Sequence, residues 1–202
     1  MSKGVLYVVS APSGCGKGTI LEIVLKNNSN LYYSVSATTR QPREGEIHGV
    51  NYFFHTEEDF LKLAGENGML EYACFCENYY GTPRKQVEEK LKQGFDVILE
   101  IETNGAMQIK KNFPEAVLIF ILPPSLGELR RRLNKRHTET EMIIEKRVKK
   151  AEEEIRLSQN YDYIMINAEL EQAIIDFEAI IRASKLTRNR NATKIDEVLN
   201  NA

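Results

Sequence analysis

The sequence predicts an α/β fold in which a parallel sheet is flanked by helices. Two observations carry that prediction. Apolar runs bounded by Gly, Pro or Asn alternate with longer segments of helical period. The runs VLYVVS, DVILEI, VLIFIL and YIMIN are almost continuously apolar, as strands covered on both faces must be. Between residues 37 and 95 the texture changes: Gly, Pro, Arg and Tyr crowd together, which predicts a subdomain inserted into the sheet. The core is thus expected to comprise residues 1–36 and 96–202, with a helical lid near 126–160 and the insertion at 37–95.

The elements follow in order. The first strand, Val5 to Ser10, runs into a Gly-rich turn and a helix from Lys17 to Lys26, and a strand from Tyr32 to Val35 comes next. Inside the insertion, the alternation in NYFF predicts short antiparallel strands, and Thr56 to Glu66 and Pro83 to Gln93 read as helices. Strands at Asp96 to Ile101, Val117 to Leu122 and Tyr163 to Asn167 alternate with helices at Asn104 to Asn112, Leu126 to Lys135, Glu139 to Asn160 and Glu169 to about Arg190. Ser125 with Glu128, and Thr138 with Glu141, have capping-box spacing and mark two helix starts. Arg136 to Thr140 interrupts two basic helical stretches and reads as a hairpin, while the polar tail after Arg190 is expected to fray.

Composition excludes several classes. The chain has 202 residues, 27 Lys plus Arg against 29 Asp plus Glu, and a net charge of −2, which argues against nucleic acid as the main partner. The apolar runs fall well short of the roughly 18 residues of a membrane span. The start MSKGVLYVVSAPSG lacks the long apolar segment and cleavage site of a secretory signal, so a cytoplasmic location is expected. Of the cysteines, Cys15, Cys74 and Cys76, two form a C-x-C with no second Cys or His pair at ligand spacing. Buried thiols in a reducing compartment are expected instead of a disulfide or zinc site.

Two stretches carry chemistry. In SAPSGCGKGT, a strand, a Gly-rich turn and a helix N-terminus come in the order that aims several backbone N–H groups at one anion. Ala11, Pro12, Ser13, Gly14, Cys15, Gly16, Lys17, Gly18 and Thr19 are therefore candidates for holding a triphosphate, with Lys17 reaching the β- and γ-phosphates. Ala11 replaces the first Gly of the P-loop pattern and Gly18 replaces its Ser or Thr. Mg²⁺ is then expected mainly on nucleotide oxygens and water, as this ion prefers. The second stretch, SVSATTRQPREGEIHGVNYFF, sets Arg40 and Arg43 three residues apart, with Tyr52 beyond, as a clamp for a monophosphate. Glu71, Tyr80 and Thr82 follow in EYACFCENYYGT, and alternation puts Glu100 and Glu102 of LEIETNGA on one side at the strand's carboxyl end, where ligands collect in parallel sheets.

The blocks SGCGKGT, SVSATTRQPREGE, EYACFCENYYGT, LEIETNGA, RRRLNKRH and YIMIN, in this order and spacing from residue 4 to about 190, resemble the guanylate kinase family of nucleoside monophosphate kinases. The resemblance implies that Arg40, Arg43, Tyr52 and Tyr80 hold the GMP phosphate and that Ser36, Glu71, Thr82 and Glu102 surround the guanine. The family more often has Asp where Glu102 stands. It also implies that Arg132, Arg136 and Arg147 are lid arginines over the ATP phosphates, whereas Arg130, Arg131, Lys149 and Lys150 have no such counterpart. Asn167 falls where the family contacts adenine, with Ala168 in place of the usual acid, and His137 stands where the family commonly has Gly. The implied reaction is MgATP plus GMP giving ADP plus GDP, with Lys17, Arg132, Arg136 and Arg147 stabilising the transfer and Glu100 orienting a metal-bound water. The competing readings are a P-loop GTPase, whose N-K-x-D and D-x-x-G strings are absent, an RNA-binding ATPase using the basic hairpin, and a non-catalytic interaction module on the same fold. The sequence leaves the choice between monomer and homo-oligomer open.

Overall fold

The computed structural model describes residues 3–135 and 140–200. Arg136, His137 and the Thr138 cap lie outside the described residues. Strands β1 (Leu6–Ser10), β2 (Leu31–Tyr33), β7 (Asp96–Glu100), β8 (Val117–Leu122) and β9 (Tyr163–Ile166) form a parallel sheet in the order β2-β7-β1-β8-β9. The central strand β1 is buried throughout because α1 (Lys17–Asn27) and α7 (Leu170–Lys185) cover one face and α3 (Arg84–Lys92) and α4 (Thr103–Asn112) the other. Val5, Tyr7, Val9 and Phe177 fill the first layer, and Leu6, Val8, Leu99 and Phe120 the second.

The insertion has its own sheet, β3 (Ala37–Thr38), β4 (Phe53–Phe54), β5 (Met69–Phe75) and β6 (Asn78–Pro83), in the order β4-β3-β6-β5. Helix α2 (Glu57–Gly65) packs Phe60 against Ala37 and Met69 there, and Thr56 caps it by accepting from the Asp59 N–H. The antiparallel expectation for NYFF needs correction: β4 runs parallel to β3, and the antiparallel pairs are β3 with β6 and β5 with β6. The long loop between β3 and β4 carries the chain back before it pairs, so the two run the same way.

The segment expected to form a lid consists of α5 (Leu126–Asn134), started by the Ser125 cap on Glu128 as expected, and α6 (Glu141–Leu157), whose N-cap is Thr140. Leu129, Leu133, Ile144, Val148 and Ala151 of this hairpin close over Cys15 of the phosphate loop. The tail after Arg190 does not fray as expected: Ala192–Asn200 forms α8, whose Ile195, Val198 and Leu199 remain exposed. Cys15 is buried, but Cys74 and Cys76 are exposed, against the expectation of buried thiols, because they lie at the turn end of the β5–β6 hairpin. Among the described residues no helix is long and apolar enough to cross a membrane.

Candidate active site

At the carboxyl end of β1, Ala11–Thr19 wraps a cavity of about 420 Å³ that is also lined by Glu100, Ile101, Glu102, Arg147 and Lys150. Gly16 caps α1 in the left-handed region at φ +81° and offers no side chain to the first-turn amides, so those N–H groups are left to receive an anion. A Cβ there would also stand 2.5 Å from Asn167 Nδ2. That amide donates to the Cys15 carbonyl at 2.7 Å, while the Asn167 carbonyl accepts from Arg132 Nη2 at 3.0 Å. Asn167 is buried behind the loop and braces it. Lys17 reaches Glu100 at 3.4 Å, and Glu100 also accepts from the Tyr33 hydroxyl at 3.0 Å.

The cations of α5 and α6 divide in two groups. Arg132 is held by Glu128 at 2.8 Å as well as by Asn167, and Arg147 donates to Ser13 Oγ at 3.3 Å, so both reach the phosphate loop or its brace. Arg131 is spent on Glu128 at 2.6 Å, and Arg130 on Glu141 at 3.0 Å and on Glu145. The Arg131 and Arg132 side chains together hold the Glu128 carboxyl down to about 2. Arg136 lies outside the described residues.

On the other side of Glu100–Glu102 lies a second cavity of about 530 Å³, with Ser36, Tyr52, Glu71, Tyr80, Asn104 and Gly105 in its lining. Arg40 lies at its rim, 5.4 Å from the centre of the Tyr52 ring, and Tyr52 meets Tyr80 edge to face at 6.2 Å. Glu71 sits deep in the cavity at 6% exposure and accepts from Thr82 Oγ1 at 2.7 Å. Burial pushes its carboxyl above the ordinary carboxylate value, and the Thr82 hydroxyl pulls in the opposite direction. Thr82 thus stands behind Glu71 and orients it. Glu102 begins α4, and its carboxylate meets Lys150 at 3.3 Å.

Two cavities sharing one wall, one of them wrapped by a phosphate loop, suit a donor and an acceptor nucleotide, and a known family has this arrangement of motifs. A family model described as guanylate kinase matches residues 3–184. The chain belongs to the guanylate kinase family. A guanylate kinase of Carboxydothermus hydrogenoformans is 52% identical over 94% of this chain and 93% of its own length. That of Bacillus subtilis is 45% identical over 98% of this chain and 97% of its own. The crystal structure of guanylate kinase from Anaplasma phagocytophilum aligns with a TM-score of 0.75 at 35% identity, covering 94% of this chain and 90% of that one.

Beside the family's motif residues, the structure adds groups the sequence reading passed over. Glu46 Oε1 accepts from Arg40 Nη2 at 2.8 Å, and its Oε2 accepts from the Arg43 backbone N–H at 2.7 Å, so one acid sets the clamp loop. Its place three residues after Arg43 was the available signal. Gly105 is a second such residue: a Cβ on it would lie 2.5 Å from Glu71 Oε2. Nothing in NGA announces that approach, because the partner is 34 residues away in a different sheet.

Proposed function

We infer that the chain is an ATP:GMP phosphotransferase that moves the γ-phosphoryl of ATP onto GMP, giving ADP and GDP. The observation that carries this reading is the shared wall Glu100–Glu102, which sets the phosphate loop on one side and the buried Glu71 on the other. The acceptor is a GMP phosphate oxygen already ionised at neutral pH, so the protein need not supply a strong base; alignment and positive charge do the work. Lys17, the loop amides, Arg132 and Arg147 supply that charge, joined by Arg136 on the strength of its match to the family. Arg40, Arg43, Tyr52 and Tyr80 hold the acceptor phosphate. Glu71 accepts from guanine N1–H and the exocyclic amine, which adenine cannot offer, and Glu102 adds a second acceptor near the base.

Mg²⁺ arrives with ATP and, when bound, neutralises charge on its oxygens. The Glu100 carboxylate is a hard oxygen donor in the wall of the cradle and fits a contact to that ion through water; Gly18 has no hydroxyl to offer. We assign Asn167 to the donor site as a brace of the loop. The exposed free thiols Cys74 and Cys76 fit a reducing compartment such as the cytoplasm.

The test is an ADP-release assay with GMP, AMP, UMP and CMP offered in parallel. Turnover with GMP in large excess over the other three is expected. Preference for AMP, or equal ATP hydrolysis with no acceptor present, would overturn the reading.

A further inference from the structure

Lys150 lines both cavities, although the family motifs give it no role. It lies on α6 one turn beyond Arg147, which faces Ser13 of the phosphate loop. Its Nζ lies 3.3 Å from Glu102 Oε1 and 3.6 Å from Glu154 Oε1, and 5.1 Å from the centre of the Phe75 ring. Phe75 is two residues from Ala73, which pairs with Tyr80, so it shares the face of β5 that looks into the acceptor cavity. One lid side chain therefore touches the shared wall and the far hairpin of the acceptor cavity at once.

The need for such a tether follows from Glu102 itself. Its side chain is 62% exposed at the start of α4. It has one methylene more than the Asp that is commoner at this place in the family. A longer, exposed carboxylate samples more rotamers, and a contact that reads a base must hold one of them. We propose that Lys150 is a positioning residue for guanine selection: its ammonium fixes Glu102 where the carboxylate accepts the exocyclic 2-amine, and its contact with Phe75 ties α6 to the acceptor subdomain. The proposal rests on GMP being the acceptor.

IMP is the discriminating probe, because it matches GMP except for the missing 2-amine. The wild-type enzyme should favour GMP over IMP in kcat/KM. In Lys150→Met, which keeps an unbranched arm over Phe75 but no charge, that ratio should fall about five- to tenfold, less than the whole of one hydrogen bond to a charged group because Glu102 stays in place and loses only its tether. The loss should appear in the KM for GMP, with the KM values for IMP and ATP within about twofold of wild type; Lys150→Arg should recover most of the ratio. Glu102→Gln should lower the ratio by itself, and adding Lys150→Met to it should lower it little further, since both act on one contact. An unchanged ratio in Lys150→Met, equal losses for GMP and IMP, or additive losses in the double variant would each refute the proposal while leaving the activity assignment intact. A wild-type enzyme that does not phosphorylate GMP would overturn the assignment and the proposal together. Glu102 is exposed but Glu154 is only 15% exposed, so Lys150→Arg, which keeps a cation beside both, separates the loss of the tether from the loss of Glu154's partner.

Discussion

Replacing Gly105 with Ala tests the proposed guanine reader by displacing Glu71 without replacing it. Gly105 is inside α4, where Ala is favoured over Gly by about 1 kcal/mol, so the helix itself gains. The added methyl, however, would stand 2.5 Å from Glu71 Oε2 and 3.1 Å from its Cδ, well inside contact distance. Glu71 must rotate away, giving up its 2.7 Å bond from Thr82 and its alignment on the base. A hydrogen bond to a charged group is worth about 1.5–3 kcal/mol, which is roughly a ten- to hundredfold loss in kcat/KM for GMP. The coupled ADP-release assay, with GMP and ATP varied in turn, should place that loss on GMP and leave the KM for ATP near wild type. Thermal melting should show a loss of about 0.5–2 kcal/mol, because the helix gain offsets only part of the lost bond. An unchanged KM for GMP, or an equal loss for both nucleotides, would show that Glu71 is not the group that selects the base.

Asn167→Ala leaves the Cys15 carbonyl without its 2.7 Å partner and should cost about 1–3 kcal/mol, read as a higher KM for ATP with the KM for GMP near wild type; equal shifts in both would refute the brace. Because burial raises the Glu71 pKa, the native state binds this proton more readily than the unfolded chain, and the ionised form subtracts stability above the native pKa. Glu71→Gln should therefore melt at or above wild type near neutral pH, with the difference shrinking as pH falls through the carboxylate range. A difference that grows on acidification would contradict this sign. Burial likewise pushes the Cys15 thiol up to about 12, so iodoacetamide at neutral pH should label Cys74 and Cys76 and spare Cys15 in peptide mass mapping. Early labelling of Cys15 would mean that the lid cluster opens readily.

The strands of the main sheet were legible because burial on both faces writes itself as an unbroken apolar run. The start of β2 at Leu31 rather than Tyr32 is a shift the local pattern does not encode. The β5–β6 hairpin was less legible. Its turn is made by Cys76 and Glu77 at φ +48° and +63°, where Asn-Gly chemistry would have announced it. The polar and aromatic residues of both strands face a cavity instead of a core, so period-two alternation is blurred. Helix α8 escaped notice for a related reason: only one side of it is apolar, and that side is left exposed. At the site, Lys17 and Glu71 line the two cavities and Arg40 stands beside Tyr52, positions that residue type and spacing in the sequence had already singled out. Glu46, Gly105 and Lys150 were not, since each acts on another side chain, and that second partner comes into reach only once the chain has folded.

Glu100, Ile101 and Glu102 belong to the lining of both cavities. A small-molecule inhibitor lodged against this three-residue partition would present the cell with a poor set of escapes. Any substitution that dislodged the drug would disturb the handling of donor and acceptor alike, so resistance arising there should carry a fitness penalty on two substrates at once.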